Sequence, residues 1–440
     1  MNLFPTILLV CGKANFTNLS HYRDWSDRTY RRQYSQPFNF VQFNQGLIEE
    51  AIAPTALQLG VMDCSFVQKS GKATYGLDWF YNGSANRTER GLEISVIAVV
   101  DVGSRRAYSL SLQQTPAQLS EQHHKPRRQR VSRQSVEQAQ QMLQQLPDKG
   151  TAMPPEPQRV NWQTIEQLKK RLQQLPDKRT SSAPSRIDHY LLQLRHTRPY
   201  LPAAVQYWAV DGFYAKKKFV DGGIALDLAV ISKLRVDADM RYLYTGVQKQ
   251  RGARRKYDGK VVLGNWTRWS HVEQLESEVN LYTALVWHGS LKRQIRLACL
   301  VDTHKAGKTG YALLFSSDMN LDAKQILQYY QARFQIEFIF RDAKQFTGLC
   351  DAQTRDPKRL DFHFNAALTA LNLAKYQDQV QHALSSPTQT VQPFSMASYK
   401  RFAFNDYLLE QFICQLDLNP TLIKSHPNYE NLRSYGIIAA

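Results

Sequence analysis

The chain has no CxxC pair and no regular cysteine spacing: Cys11, Cys64, Cys299, Cys350 and Cys414 are scattered over 440 residues. That excludes a disulfide framework or a thiolate zinc site and points to reduced thiols in a cytosol. The sequons at Asn82 and Asn86 then read as chance matches. Long apolar runs are also missing. The longest near the start, 3–10, is interrupted by Pro5 and Thr6 and has no basic n-region, so neither a bilayer span nor a secretory signal is expected. There is no HExxH helix. HKAGKTG at 304–310 fails as a phosphate-cradling loop, because its first glycine would fall on Asp302. Acidic residues are scarce: 38 Asp and Glu stand against 56 Lys and Arg, for a net charge of +18. Such a surplus points to a polyanion, most simply double-stranded DNA. An anionic membrane surface is the rival class, and the chain carries no lipidation motif in its favour.

What is present has a clear order. Residues 1–52 read as a helical DNA-binding segment, with Ser26 or Asp27 capping a helix that carries Arg28, Arg31 and Arg32. Preceded by TNLSHY and a turn, it reads equally as a helix-turn-helix or as a basic surface helix. ALQLGVMDCSFV is a strand delivering Asp63 near its end; GLEISVIAVVDV and RRAYSLSLQQT are the next two strands. Residues 116–186 form a Gln-, Pro- and Arg-rich insertion in which VEQAQQMLQQLPDK recurs as IEQLKKRLQQLPDK. AVQYWAV then runs into Asp211, and AKKKFVDGGIA gives a short helix with Lys216, Lys217 and Lys218. LDLAVISKLR is another buried strand, 240–318 reads as a β-rich insertion, and 362–440 as a C-terminal helical region. With a core at 53–361, the layout is α/β: a ribonuclease-H-like core with an inserted β-rich subdomain, flanked by helical regions at both ends.

The segment YQARFQIEFIFRDAK places Tyr330, Arg333, Glu337 and Lys344 at offsets that fall within about 60° on a helix. Phe334, Ile336, Phe338, Ile339 and Phe340 cover much of the rest, so the helix is expected to be largely buried, with Asp322 as its cap. A buried Glu337 must then either pair with Arg333 or bind metal. Asp63 and Asp211, each at a strand end, supply two further carboxylates, and two hard cations on oxygen ligands suit in-line phosphoryl transfer.

Tyr-x2-Arg-x3-Glu-x6-Lys, as 330, 333, 337 and 344, together with MDCSFVQKSGKATYGLDWF and AVDGFYAKKKFVDGG, resembles the DDE-type transposases of bacterial insertion-sequence family four. The resemblance covers most of the chain outside 116–186. It implies Asp63, Asp211 and Glu337 as the catalytic, metal-holding triad, with two Mg²⁺ ions or Mn²⁺ as substitute. It implies Tyr330, Arg333 and Lys344 as holders of end phosphates, terminal repeats and target DNA as partners, and a homodimer in the synaptic complex. A flipped base would meet an aromatic of the β insertion, with Trp266, Trp269 and Trp287 as candidates. The location would be bacterial cytoplasm, at the nucleoid when bound. Cys64-Ser65 departs from the commoner Asp-x-Thr while keeping a hydroxyl, and the front of the chain reads as short for the family. Residues 212–260 carry twelve Lys and Arg against five Asp and are expected to line a DNA channel. The remaining alternatives are a truncated DNA-binding remnant and a ribonuclease-H-like nuclease without strand transfer.

Overall fold

Residues 87–101 are apolar at almost every position after Gly91, the pattern of a strand covered on both faces. The computed structural model places them in that setting and describes residues 2–119, 184–305, 308–385 and 393–438. Helices α1 (Leu3–Leu9), α2 (Phe16–Leu19), α3 (Asp27–Gln33) and α4 (Phe40–Ala51) come first. Strands β1 (Gln58–Gln68), β2 (Asp78–Asn82), β3 (Arg87–Asp101) and β4 (Arg106–Gln114) follow. Beyond the insertion lie α5 (Arg186–Thr197), β5 (Tyr207–Val210), α6 (Lys217–Ile224) and β6 (Ala229–Leu234). The inner sheet runs β4-β3-β1-β5-β6. β1, β3 and β4 are antiparallel, while β5 is parallel to β1 and β6 to β5.

The expected β-rich insertion comprises β7 (Met240–Leu243), β8 (Tyr257–Lys260), β9 (Ser270–Glu276), β10 (Val279–His288), β11 (Arg293–Lys305) and β12 (Lys308–Ser316). It does not stand apart as a subdomain. β12 pairs with β6 through Leu313↔Leu234 to Ser316↔Ile231, so the insertion continues the same sheet. This covers what would otherwise be an exposed edge of β6. The ends of HKAGKTG lie in β11 and β12, where His304 and Lys305 close one strand and Lys308 opens the next.

The helical end of the chain comprises α7 (Ala323–Ala332), α8 (Gln335–Phe346), α9 (Pro357–Ser385), α10 (Met396–Gln415), α11 (Pro420–Lys424) and α12 (Tyr429–Arg433). Several expectations shift. The single helix expected from Asp322 is two helices, α7 and α8. At the junction the backbone hydrogen bonds shorten to three-residue steps, from Phe334 N–H to Gln331, Ile336 to Arg333 and Glu337 to Phe334. Asp322 does cap α7, accepting from Lys324 N–H at 2.7 Å. The boundary at 361/362 falls inside α9. The insertion's duplicated unit lies outside the described residues, as does its basic run HHKPRRQRVSR, a candidate DNA-backbone contact by its charge. The described residues before 120 and from 186 onward form one compact unit.

Alternation along β3 divides the core. Ile94, Val96, Ala98 and Val100 face one cluster, with α1 and α7 to α9. Ile97 and Val99 face the other, with α5 and α6. Trp208 on β5 lies against Gly60 on β1, where a Cβ would come within 2.3 Å of its ring. Glycine there lets the two parallel strands lock in register.

Lys400 on α10 reaches across to the N-terminal helices. Its ammonium donates to Val10 O at 2.6 Å, Phe346 O at 2.7 Å and Ile7 O at 3.2 Å. It thereby caps the C-terminal ends of both α1 and α8. Burial pushes its pKa down to about 8. Lys400→Met should leave these carbonyls without a donor and lower stability by about 2 kcal/mol. Calorimetry showing an unchanged melting temperature would refute the capping role.

Candidate active site

On β1 the side chains of Leu59 and Val61 enter the core beneath α7 to α9, and Met62 enters the opposite one. Asp63, two residues beyond Val61, therefore projects on the side of α7 and α8. It sits in the middle of the eleven-residue β1, not at its end as expected. β5 lies beside β1 in parallel with Met62 opposite Val210. The following residues are Asp63 and Asp211, so sheet register alone sets the two carboxylates on neighbouring strands, about 4.8 Å apart in backbone spacing. Asp211 begins the turn after β5, where its carbonyl accepts from Ser232 Oγ at 2.9 Å and Tyr214 N–H at 3.0 Å.

Arg333, at the junction of α7 and α8, completes the arrangement. Its Nη1 donates to Asp63 Oδ2 at 3.0 Å and its Nη2 to Glu337 Oε1 at 3.1 Å. The expected Arg333–Glu337 pair is present, although it spans the junction and not one helix, and the same guanidinium also holds the strand carboxylate. Its Cζ stands 5.5 Å from the centre of the Tyr330 ring. The buried partner is not the one expected: the Glu337 side chain is 43% exposed, that of Asp63 only 23%, and that of Arg333 11%. Phe334 also lies 48% exposed, so α8 is amphipathic and its Glu337 edge opens to solvent.

A cleft of about 730 Å³ is lined by Asp63, Asp211, Glu337, Lys344, Phe213 and Tyr81, among others. Burial pushes the Asp63 carboxyl up to about 6, opposed by Arg333 and reinforced by Asp211 and Glu337. The three carboxylates thus repel one another, and Arg333 supplies most of the compensating charge. Burial lowers the pKa of Lys344 and raises that of the Tyr330 hydroxyl.

Among the described residues no three of His, Cys, Asp and Glu stand close enough together to hold an ion. Arg333 is bonded to two of the three carboxylates instead. The donor chemistry nevertheless fits a hard divalent cation: Asp63, Asp211 and Glu337 line one cleft and offer carboxylate oxygens, and after burial the charges of Asp211 and Glu337 add to the rise of the Asp63 pKa.

Beneath Asp63, on the opposite face of β1, lies a group that the sequence reading missed. Glu93 on β3 is 3% exposed. It pairs with Arg186 and accepts from Tyr190 Oη at 2.7 Å and Thr115 Oγ1 at 2.9 Å. Cys64 Sγ lies 3.1 Å from Tyr214 Oη beside this group, and burial raises its thiol pKa well above the ordinary value. A lone carboxylate inside GLEISVIAVV was the available signal, since a buried charge needs a partner. Phe213 was also missed. It is 40% exposed at the cleft, with Lys216 Nζ 3.9 Å and the Arg186 guanidinium 5.3 Å from its ring centre.

The other candidate DNA contacts are dispersed. Lys217 pairs with Asp221 and Lys218 with Asp188. Arg28, Arg31 and Arg32 lie exposed on α3 and do not line the cleft. Arg31 pairs with Asp27 and covers the Phe16 ring at 4.9 Å. α2 has only four residues and α3 seven, shorter than a full helix-turn-helix pair. In the β insertion, Trp266 stacks on Tyr282 at 4.3 Å, Trp287 lies 6.0 Å from Tyr257, and Trp269 is buried. No helix among the described residues is long and apolar enough to cross a membrane.

A comparison with curated proteins found no match. Residues 186–373, a span that holds Asp211 and Glu337 but begins after Asp63, match the family model described as a transposase DDE domain. The matched span, 188 of the 440 residues, is similar to a domain of transposases.

Proposed function

We propose that this chain cuts DNA at insertion-sequence ends and joins the freed 3′-OH to target DNA, as a transposase of insertion-sequence family four. The observation that carries the reading is the Asp63–Arg333–Glu337 bridge with Asp211 on the adjoining strand. Carboxylates far apart in sequence meet in one cleft with the cations of a single motif. The strand order β4-β3-β1-β5-β6 supports the ribonuclease-H-like core.

In this reading Asp63, Asp211 and Glu337 are the catalytic residues and would hold two Mg²⁺ ions, or Mn²⁺ in their place. Bound there, such ions would activate the attacking oxygen and neutralise charge at the phosphorus. The chain's own side chains do the rest. Arg333 keeps the carboxylates in position until DNA arrives, then turns its forked donors toward a phosphate. Tyr330 and Lys344 bond neighbouring phosphate oxygens, one through a hydroxyl and the other through a point charge. Lys216 and the arginines of α3 track the backbone farther out, with Lys217 and Lys218 exchanging their carboxylate partners for phosphates. The freed 3′-OH attacks the target phosphorus in line, its proton leaves to solvent, and the 3′ oxygen of the target strand departs and takes up a proton from solvent.

Exposed Leu408 and Phe412 on α10, and Leu416 just past its end, recur every fourth residue. Such an apolar stripe suits pairing of two chains in a synaptic complex. Light scattering of the complex with end DNA should then read the mass of two chains, and a one-chain complex would reject the dimer.

The test of function is an incubation with Mg²⁺, a labelled terminal-repeat duplex and a supercoiled plasmid. Joined product is expected. Cleavage of any DNA without joining would identify a nuclease, and binding without cleavage in Mg²⁺ or Mn²⁺ a DNA-binding remnant.

A further inference from the structure

β2 forms an end of the sheet, hydrogen-bonded to β3. Edge strands are usually blunted by charge or proline, yet this one presents two large aromatics. Trp79 and Tyr81 are 37% and 46% exposed, while Phe80 between them is fully buried. Strand alternation therefore puts both rings on the outer face. Across the ladder Trp79 faces Arg90 and Tyr81 faces Thr88. Arg90 is exposed and makes no ion pair among the described residues. The Tyr81 hydroxyl already donates to Asn86 Oδ1 at 2.5 Å, which leaves the ring face as what the residue offers. The hairpin tip reaches the reaction centre: Tyr81, Asn82 and Ser84 line the cleft that holds the three carboxylates.

We infer that the β2–β3 hairpin is a stacking platform for unpaired nucleotides of the DNA strand that passes through the cleft. The inference rests on the reading of that cleft as a DNA-processing site. Single-stranded DNA is the occupant because every base offers a π-face to exposed aromatics, independent of sequence. Its phosphates also suit the local charge, four Lys and Arg against two acidic residues over 69–90. Continuity with the cleft supplies the strand: cleavage there leaves an end that can unpair beside Tyr81.

The test uses the full chain without divalent ions and two labelled duplexes, one blunt and one with a single-stranded overhang carrying 2-aminopurine. The wild type should prefer the overhang and change the 2-aminopurine emission. The double variant Trp79→Ala, Tyr81→Ala should lose about ten-fold or more in overhang affinity while binding the blunt duplex as before. Trp79→Phe, Tyr81→Phe should retain the preference. Equal loss on both duplexes, no loss on either, or a phenylalanine variant as weak as the alanine one would overturn the platform. So would a change in oligomeric mass in place of overhang binding, which would mark β2 as an edge for a second copy. Duplex binding with no overhang preference refutes the platform and leaves the transposase reading standing; absence of any DNA binding refutes both.

Discussion

Glu337→Ala should abolish Mg²⁺-dependent nicking of terminal-repeat DNA, by on the order of 10³-fold or more, with DNA affinity nearly unchanged. The separation of effects follows from where Glu337 sits. Its side chain is 43% exposed and makes one ion pair, to Arg333, so its loss removes little packing. Arg333 remains fixed by Asp63 at 3.0 Å, and Lys344 and Tyr330 keep their places on α8 and α7. The phosphate-binding cations therefore survive while the proposed metal site loses a third of its ligands. Glu337→Gln keeps the shape and hydrogen-bonding capacity but removes the charge, and it should be nearly as inactive. A gel shift on the end duplex and a nicking assay on the same preparation read the two properties separately. Retained nicking in Glu337→Ala would remove Glu337 from the catalytic set.

How far the sequence foretold this site depends on how local each signal is. The run AVQYWAV into Asp211 encodes a short buried strand ending on a carboxylate, and the structure has that strand at Tyr207–Val210. The four motif residues do gather near the cleft. Their presentation is not that of one straight, buried helix. The break after Ala332 leaves Arg333 outside both helices, and nothing in the apolar composition of 334–340 distinguishes a buried face from the exposed Phe334. ALQLGVMDCSFV reads as a strand that delivers Asp63 near its end. Yet β1 continues through Cys64 to Gln68, paired residue by residue with β3 down to Gly91. Strand length there is set by its neighbour and not by its own sequence. The same holds for the β insertion, whose continuity with the core sheet comes from the β12–β6 pairing, a contact between segments about eighty residues apart. Glu93 and Arg186, from opposite sides of the insertion, meet only once the chain has folded.

Arg333→Ala should be the most destabilising change at the site, by about 3 kcal/mol at neutral pH. Removing one partner of a buried pair strands the other, and Arg333 has two carboxylates to strand. The figure sits at the low end of the usual range because the Asp63 side chain keeps 23% of its exposure. The effect must depend on pH, and its sign is fixed. Asp63 already titrates near 6 in the folded chain, above the ordinary value of 3.8, with Arg333 as its largest opposing influence. A raised folded pKa means stability that is present at low pH and lost as pH rises through that value. Without Arg333 the folded pKa rises further, so the variant loses more as pH increases from about 5 to 8. The gap between wild type and variant should thus be wide at pH 7.5 and narrow at pH 5, where Asp63 is protonated in both. Mg²⁺ adds a second discriminating measurement. If Arg333 occupies the place that cations take in the active complex, its removal frees Asp63 and Glu337 to bind them. Mg²⁺ should then raise the melting temperature of Arg333→Ala more than that of the wild type, even though the variant, lacking its phosphate fork, nicks DNA poorly. A gap that stays constant with pH and an equal Mg²⁺ shift in both proteins would mean that Arg333 packs the junction of α7 and α8 without governing the carboxylates.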